Sequence, residues 1–325
     1  MTRYFLGVDV GATKTHALIA DETGRALSLG ESGPGNPESF GYDSLGQVLR
    51  ASTEEALATA GIAVGQIVGA GFGIGGYDWP SQREPILQEI YTTGLRAPLE
   101  IVNDAIVGLV AGAAEGWGVA VVAGTSCNCW GWNAERRIGR MTGFSFLGEA
   151  AGAGELVFKA IQAVALAWTW RGPATRLTQA FVELAGLRNV EELLEGLSLG
   201  RIHIGARAAP VVFRVAAEGD AVARELIEWA ARELASMAIG VIRQLDFETL
   251  SFEIVLAGSF FNGSPRLAEA MGEAIHPIAP GARLVRLTAP PVVGGALLGM
   301  EQAGEDPRPV REPLIRSTEE MMKRR

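Results

Sequence analysis

The chain has 325 residues, of which 48% are apolar and 20% charged, and its net charge is −9 at pH 7. This length favours about two domains, and the apolar fraction excludes a disordered chain because it can form large buried cores. The negative charge argues against nucleic acid or an anionic membrane surface as a partner, since either would require a basic face.

The first predicted element is an apolar strand, Tyr4–Val10, followed by a turn rich in small, hydroxyl and cationic residues. Asp9, near the end of this strand, can order the water shell of a Mg²⁺ ion, which prefers oxygen ligands and keeps its waters. Gly11 allows the backbone to approach a phosphate closely, while Thr13 offers a hydroxyl and Lys14 a positive charge. The run is not a Walker loop. Because Asp and Gly are also common in ordinary turns, a plain hairpin is the alternative.

Strands and helices then alternate, which predicts a largely parallel sheet with its chemistry at the carboxyl ends of the strands. Asp104 directly follows a predicted strand and is placed to accept a proton from a hydroxyl that attacks phosphorus. Asp is also a preferred helix N-cap, so a capping role is the alternative for this residue. The predicted elements of this part are strands at 26–29, 67–74 and 99–102, helices at 43–60 and 81–93, and a loop at 30–37.

Residues 118–132 repeat the pattern of the first hairpin, with Gly124 in the place of Gly11 and Ser126 in the place of Thr13. Two similar hairpins predict duplicated α/β lobes that face each other across a cleft, and their spacing is too long for a solenoid. Cys127 and Cys129 alternate on the returning strand. They are too few for structural zinc and poorly placed for a disulfide, so we expect buried thiols in a reducing cytoplasm.

The remaining chain predicts a long helical region followed by a short α/β segment. The most apolar stretch, 151–170, contains Glu155 and Lys159, and no charged-then-apolar leader opens the chain, so we expect neither a membrane span nor a signal peptide. The tail beyond Glu305 is rich in Pro, Arg and Glu and is expected to fray. The predicted elements are helices within 148–246, strands at 253–257 and 283–287, and helices at 264–275 and from 293.

Several motifs follow one another in a specific order, and each is loose on its own. They are the hairpin at 9–15, Asn36, Gly-Ile-Gly-Gly-Tyr-Asp at 73–78, Asn-Asp-Ala at 103–105, Gly-Thr-Ser-Cys-Asn at 124–128, Gly-Glu at 148–149 and Pro-Val-Val-Gly-Gly at 291–295. In this order the chain resembles the N-acetylglucosamine kinases from its first strand to about Met300. These kinases belong with the BadF/BadG/BcrA/BcrD ATPases in the actin, hexokinase and heat-shock-chaperone superfamily.

The resemblance implies an α/β fold of two duplicated ribonuclease H-like lobes with an interlobe cleft. It also implies that ATP phosphorylates a hydroxyl, expected at C6, of an amino sugar such as N-acetylglucosamine or glucosamine, with Mg²⁺ as cofactor. Asp104 is then the expected catalytic base. The residue patterns and the resemblance together predict sugar contacts at Asn36, Gly76, Asp104, Gly148 and Glu149, nucleotide and phosphate contacts at Asp9, Gly11, Thr13, Lys14, Gly124, Thr125, Ser126, Gly258 and Ser259, and Mg²⁺ held by Asp9 through water.

One position departs from the family pattern. The family has Gly-Asp-Glu-Gly-Ser where residues 148–152 read Gly-Glu-Ala-Ala-Gly, so Glu149 replaces the sugar-contacting aspartate. The extra methylene moves the carboxylate by roughly 1.5 Å, and a misplacement of this size can change substrate preference. The alternative is that Glu149 lies in the first turn of the helix over 151–170, where an acid favours the helix dipole.

The resemblance implies an N-terminal lobe of residues 1–115, completed by a C-terminal helix at 293–325, and a C-terminal lobe of residues 116–292. Homodimers are common among relatives, so we expect a homodimer. Two alternative functions stay open: an ATPase that activates or remodels a protein partner, and a sugar-binding protein with reduced turnover. The activating ATPases hold an iron–sulfur cluster through cysteines, and the location of Cys127 and Cys129 in a phosphate hairpin weakens that alternative.

Overall fold

The computed structural model describes residues 2–324 and builds them into strands and helices that alternate in two similar halves. The strands are β1 (Tyr4–Val10), β2 (Thr15–Asp21), β3 (Ala26–Ser32), β4 (Ile67–Ile74), β5 (Leu99–Asn103), β6 (Gly118–Ala123), β7 (Cys127–Trp132), β8 (Ile138–Arg140), β9 (Phe252–Ala257) and β10 (Ala282–Arg286). The helices are α1 (Pro37–Phe40), α2 (Tyr42–Ala60), α3 (Arg83–Tyr91), α4 (Asp104–Gly112), α5 (Ala153–Trp168), α6 (Leu177–Leu184), α7 (Val190–Ser198), α8 (Ala209–Ala217), α9 (Ala221–Leu245), α10 (Arg266–Ile275), α11 (Val292–Gln302) and α12 (Arg311–Lys323).

Two five-stranded sheets share one topology. The first has the order β3-β2-β1-β4-β5 and the second the order β8-β7-β6-β9-β10. In each sheet, three consecutive strands pair in antiparallel fashion. Two later strands run parallel to the first strand of the hairpin and complete the sheet. The sheets are therefore mixed and less parallel than the alternation of strands and helices predicts. The repeated order confirms the prediction of two duplicated α/β lobes, which we call the first and second lobes after their sheets.

Two helices lie between the sheets and carry the interlobe core. Helix α11 packs on β1 and β4, and α4 packs on α11 and on the second sheet. Close contact between α11 and the first sheet requires glycine, because a Cβ built on Gly71 would lie 2.2 Å from the carbonyl oxygen of Gly295. This approach explains the Gly-Gly pair of the motif at 291–295.

The outer layers differ between the lobes. Helices α2 and α3 cover the first sheet over a compact core. Helices α5–α9 occupy 153–245 of the region that the sequence predicts as helical, and they extend the core of the second lobe. The division of the chain into domains at 115 and 293 stays a prediction. Across residues 2–324, no helix combines the length and apolar character needed to cross a membrane.

The C-terminal tail does not fray as predicted. It forms α12, in which Leu314 and Thr318 are fully buried. The hydroxyl of Ser317 accepts a hydrogen bond from the amide of Ala26 at 2.9 Å, which fixes the helix to the start of β3. The prediction was wrong because charge and proline content alone do not show the apolar stripe that tertiary contacts bury. Arg325, the last residue, lies outside the described residues.

Candidate active site

The first predicted phosphate hairpin is a tight turn between β1 and β2. The amide of Gly11 donates to the carbonyl of Lys14 at 3.0 Å, and the amide of Gly35 donates to the carbonyl of Gly11 at 3.2 Å. Thr13 and Lys14 are exposed, so their hydroxyl and ammonium groups are free to meet a ligand from solvent. The second of these hydrogen bonds holds the loop that leads to Asn36 beside the turn.

Asp9 is a partly buried carboxyl near the end of β1, between His16 on β2 and Gly73 on β4. Burial raises the pKa of Asp9 to about 7, the charge of Asp104 adds to this rise, and Lys14 opposes it. Two carboxylates in one low-dielectric space disfavour each other's ionised form. A cation between them would reverse this, because it favours the charged form of both.

Asp104 is the first residue of α4, but it is not the residue that caps this helix. The side chain of Asn103 does so, since it accepts a hydrogen bond from the amide of Ala105 at 3.0 Å. The alternative interpretation of Asp104 as an N-cap is therefore wrong. A Cβ built on Gly75 would lie 3.2 Å from Oδ2 of Asp104, so this carboxylate faces the turn that follows β4.

The electrostatics of Asp104 suit proton transfer. Burial and, after it, the charge of Asp78 raise the pKa of Asp104 to about 6, although the backbone amide of Ala105 lowers it. A general base is most effective when its pKa lies close to the working pH. At neutral pH such a group is largely ionised yet retains a strong affinity for a proton.

Asn36 and Gly76, both predicted to contact the sugar, lie against each other beside Asp104. The side chain of Asn36 caps α1 by accepting from the amide of Glu38 at 2.8 Å. A Cβ built on Gly76, whose φ is +80°, would lie 2.3 Å from Oδ1 of Asn36. Only glycine fits at position 76, because the backbone has a positive φ and a Cβ would clash with Asn36. Gly76 thus contacts Asn36, and its neighbour Gly75 contacts Asp104, at the turn that follows β4.

The second hairpin, between β6 and β7, resembles the first but has a turn one residue shorter, 124–126 against 11–14. The amide of Gly124 donates to the carbonyl of Ser126 at 2.9 Å, and the side chains of Thr125 and Ser126 are exposed. The first two amides of α5, those of Ala153 and Gly154, donate to the carbonyls of Gly124 and Thr125, both at 2.9 Å. These two hydrogen bonds hold the second hairpin against the N-terminus of α5.

A cavity of about 710 Å³ opens beside the second hairpin, and Thr125 and Ser259 both line it. Its opposite wall contains Arg207, Phe213 and Arg214, which the sequence interpretation missed because no motif surrounds them. Two guanidinium groups and an aromatic ring next to a phosphate hairpin are suitable for a nucleotide, whose base stacks and whose phosphates carry negative charge.

Gly258 and Ser259 follow β9, as predicted, but no α-helix begins there. Residues 259–262 form a single 3₁₀ turn, and α10 begins only at Arg266. The helix predicted at 264–275 therefore begins two residues later than expected. The φ of Gly258 is +100°, and a Cβ there would lie 2.1 Å from the carbonyl oxygen of Ala123. Gly258 is needed for this contact between β6 and β9, and Ser259 reaches the cavity.

Glu149 is buried, with 7% of its surface exposed, and holds the loop that precedes it. One carboxylate oxygen accepts from the amide and the hydroxyl of Thr142 at 2.5 and 2.7 Å, and the other accepts from the amide of Gly143 at 2.6 Å. Helix α5 starts later, at Ala153, so the first-turn interpretation of Glu149 was wrong. Gly148, with a φ of +104°, forms the exposed turn beside it.

Asp78 links the two lobes, a role that the sequence analysis missed. It follows β4 in the first lobe, only 3% of it is exposed, and its Oδ1 accepts from the side-chain amide of Asn128 on β7 of the second lobe at 3.1 Å. The same oxygen accepts a hydrogen bond from the side-chain amide of Asn103 at 3.2 Å. Burial raises the pKa of Asp78, and the hydrogen bond from Asn128 opposes this rise. The signals for Asp78 in the sequence were its place at the end of the motif at 73–78 and its position shortly after a predicted strand.

The loop that Glu149 holds also reaches Asp78. A Cβ built on Gly143 would lie 2.5 Å from the carboxyl carbon of Asp78, so backbone and carboxyl are in close contact there. Glu149, Gly143, Asp78 and Asn103 thus form a continuous path from the second lobe to the cap of α4. This path ends at the helix that carries Asp104.

The donor set fits Mg²⁺ bound together with a nucleotide. Within residues 2–324 no group of three or more His, Cys, Asp or Glu side chains could hold a metal ion by itself. Mg²⁺ in nucleotide sites usually takes one or two carboxylates, waters and substrate phosphates. Asp9 and Asp104, whose pKa values are raised mainly by burial, provide this environment.

Comparisons with known proteins agree with this geometry. The sequence profile described as the BadF/BadG/BcrA/BcrD ATPase family matches residues 6–299. An N-acetylmuramic acid/N-acetylglucosamine kinase of Clostridium acetobutylicum is 24% identical over 306 residues, which cover 92% of this chain and 99% of that protein. An N-acetyl-D-glucosamine kinase of Dictyostelium discoideum is 27% identical, with coverages of 91% and 97%. A Chromobacterium violaceum structure provisionally named as an N-acetylglucosamine kinase superposes with a TM-score of 0.67 at 22% identity, covering 91% of this chain and 98% of that one.

Proposed function

Because this chain belongs to the BadF/BadG/BcrA/BcrD ATPase family, we propose that it is a kinase that transfers the terminal phosphate of ATP to a hydroxyl of an amino sugar. The observation that carries the proposal is the position of Asp104. Its carboxylate faces the Gly75–Gly76 turn, against which Asn36 also packs, and helix capping does not require it, since Asn103 performs that role. The similarity to amino sugar kinases over nearly the whole chain supports the substrate class.

In this mechanism the sugar binds between Asn36, Gly76 and the loop that Glu149 holds, with its C6 hydroxyl directed at Asp104. Asp104 takes the proton of that hydroxyl as the oxygen attacks the terminal phosphorus. The exposed hydroxyls of Thr13, Thr125 and Ser126 and the ammonium of Lys14 hold the phosphates from both lobes. Positioning and charge stabilisation provide most of the acceleration in such transfers.

Mg²⁺, associated with Asp9 largely through water, would neutralise charge on the phosphates of the nucleotide. It would also favour the ionised form of Asp104 and thereby keep the base ready. Closure of the lobes, which meet at Asp78 and Asn128, would exclude water as a competing nucleophile. Gly11, Gly124 and Gly258 belong to this proposal as backbone positions next to the nucleotide.

A coupled assay of ADP release with a panel of hexoses and hexosamines tests the proposal. We expect turnover to depend on sugar and to be highest with an N-acetylated hexosamine. ATP hydrolysis at the same rate with and without every sugar would overturn it in favour of an ATPase that acts on a protein. Nucleotide and sugar binding without turnover would instead indicate a sugar-binding protein.

We also propose a cytoplasmic homodimer. Helix α5 and the turn after it expose Phe158, Trp168 and Trp170, which are 62%, 47% and 95% accessible. Exposed apolar side chains grouped on one element are typical of interfaces. Light scattering after size-exclusion chromatography should give twice the chain mass, and Trp168→Glu should give the monomer. The reduced, buried state of Cys127 and Cys129 is consistent with a cytoplasmic location.

A further inference from the structure

A second cavity, of about 490 Å³, opens between the two lobes, next to the edge strands of their sheets. β5 of the first sheet lines one wall, and β7 and β8 of the second sheet line the other. None of the hairpin residues 11–14 or 124–126 belongs to its lining, so it is separate from the nucleotide side of the cleft. Its volume lies within the range of about 300–1,000 Å³ that is usual for small-molecule sites.

An arginine without an ionic partner lies in this cavity. The guanidinium of Arg140 stacks between two indole rings, 4.4 Å from the ring centre of Trp79 and 5.5 Å from that of Trp130. Its side chain makes a single long hydrogen bond, to the carbonyl of Met141 at 3.4 Å, and no ion pair within residues 2–324. An arginine held rigidly by aromatic rings and left unpaired is a typical receptor for an anion.

The other charges of the cavity leave this role to Arg140. Arg136 is neutralised by Glu301, which accepts two hydrogen bonds from it at 2.6 and 2.7 Å. Arg83 is exposed at the rim and forms no ion pair among the described residues, while the carboxylates of Glu100 and Asp78 also line the cavity, and the charge of Asp78 interacts with Arg140 without forming an ion pair. Arg83 and Arg140 are thus the two arginines of the lining that form no ion pair among the described residues, and a phosphate dianion carries enough charge for both.

The apolar part of the lining is flat and aromatic. The indole rings of Trp79, Trp130 and Trp132 line the cavity, and Trp79 and Ile138 at its mouth are 45% and 51% exposed. Flat rings with an adjacent polar group are suited to ligands that have one apolar face and one polar end. A pyranose ring has such a face.

We propose that this cavity binds a sugar phosphate, with the phosphate at Arg140 and the sugar ring against the indole rings, and that the product of the reaction acts there as a feedback inhibitor. The choice of product rests on the proposed kinase function. Asp78 and Asn103, which tie the lobes together and cap the helix of Asp104, form the inner wall of the cavity. A ligand in contact with both lobes would hold them in one arrangement and slow the opening that releases product.

In the experiment that tests this proposal, the active-site cleft is first saturated with its own ligands. The full chain is saturated with N-acetylglucosamine and a non-hydrolysable ATP analogue and is then titrated with N-acetylglucosamine 6-phosphate by calorimetry. We expect one further equivalent to bind. Ile138→Glu, which puts a negative charge at the exposed mouth of the cavity, should weaken this binding about tenfold or more, whereas the neutral control Ile138→Gln should retain it. No saturable binding, or equal binding to the glutamate variant, would overturn the proposal.

Two further titrants identify the ligand class. Inorganic phosphate should bind more weakly because it lacks the ring, and glucuronate should bind more weakly because it lacks the dianion. Equal affinity of either for this site would contradict a sugar-phosphate site. In initial-rate kinetics, added product should lower kcat at saturating sugar in the wild type and not in Ile138→Glu.

The same experiments separate this inference from the proposed function. If the chain is not a sugar kinase, no sugar-dependent turnover is seen before any product is added. If only the second site is wrong, turnover is normal and product inhibition is fully relieved by excess sugar.

Discussion

The chemistry at the residue scale depends on three carboxyl groups. Asp9 lies near the end of β1, Asp78 follows β4 and Asp104 follows β5. Asp104 raises the pKa of Asp9, and Asp78 raises that of Asp104, so the three form one electrostatic group. Burial is the largest cause of each rise. This arrangement costs stability, because the folded protein holds ionised acids in an unfavourable environment.

The first prediction concerns Asp104→Asn. Loss of the base should lower kcat by about 10²- to 10⁴-fold, while the affinity for the ATP analogue, measured by calorimetry, changes little. The exposed control Asp246→Asn, at a left-handed position that asparagine tolerates, should keep full activity. Unchanged kcat in the Asp104 variant would contradict the proposed base.

The stability of the same variant follows from linkage. The pKa of Asp104 rises on folding from 3.8 to about 6, so the unfolding free energy falls as pH rises through this window. Asp104→Asn removes this pH-dependent loss of unfolding free energy. Above the window we expect the variant to be more stable than wild type by on the order of 1 kcal/mol, after allowance for partial exposure. Chemical denaturation at pH values on both sides of the window measures the effect.

A second prediction uses the pH profile of kcat/KM. Activity should rise with pH as Asp104 loses its proton, with a midpoint near the pKa of about 6. Asp78→Asn keeps the acceptor oxygen for Asn128 but removes the negative charge, so the pKa of Asp104 should fall and the acid limb should move to lower pH. A limb that stays in place, with kcat/KM unchanged, would show that Asp78 does not act on the base.

At the element scale, the loop 142–148 and the helix α12 show how single contacts order a segment. Glu149 supplies both carboxylate oxygens to the backbone at Thr142 and Gly143. The loop itself exposes Phe146, which is 86% accessible, so it has little apolar burial of its own. Its conformation therefore depends on Glu149.

The third prediction concerns Glu149 and the sugar. Glu149→Gln weakens the hydrogen bonds that order the loop, so the KM for sugar should rise about tenfold while kcat falls less, since charge-assisted hydrogen bonds contribute about 1.5–3 kcal/mol. Glu149→Asp should change the ratio of kcat/KM between N-acetylglucosamine and glucosamine. Steady-state kinetics with both sugars measures these effects. A change in kcat alone would contradict a role in sugar binding.

The fourth prediction concerns α12. Leu314 is fully buried, so Leu314→Ala should lower the unfolding free energy by about 2–3 kcal/mol through lost burial and an internal cavity. The exposed neighbour Arg316, changed to Ala, is the matched control and should leave stability within about 0.5 kcal/mol. Urea denaturation of both variants decides whether the tail is an integral part of the fold.

At the scale of the whole molecule, the lobes communicate through a small number of contacts. The hydrogen bond between Asp78 and Asn128 crosses from the first sheet to the second, and α4 and α11 fill the space between the sheets. Asp78 also contacts Asn103, which caps the helix that carries Asp104. Closure of the cleft and the chemistry are therefore coupled through it.

The fifth prediction tests this coupling. Asn128→Ala and Asp78→Ala should each raise the KM for sugar, and the double variant should be little worse than either single one, because both remove the same interlobe bond. A double-mutant cycle on kcat/KM should then give an interaction energy of about 0.5–3 kcal/mol. Strictly additive effects would mean that the two residues act independently.

Much of the fold could be predicted from local pattern. The strand at 67–74 and the hairpin at 118–132 were predicted at or close to their observed ends, because apolar runs bounded by turn residues mark buried strands. The tail was mispredicted, since its buried residues Leu314 and Thr318 are widely spaced among charged ones. The helix predicted at 264–275 begins at Arg266, after a 3₁₀ turn at 259–262 that no local signal announced.

The sequence by itself determined the duplicated architecture, the two hairpins and the acid at the start of α4, because periodicity, glycine and strand-end polarity are local properties. Only the tertiary structure decided the roles of Asp78, Asn103 and Glu149. Each of them binds a residue that folding brings near. Asp78 binds Asn128 of the other lobe, Asn103 binds Tyr77 and Asp78, and Glu149 binds Thr142 in the loop. Hydrogen bonds and pKa shifts depend on distance in space, and distances across a cleft are set by packing rather than by spacing along the chain.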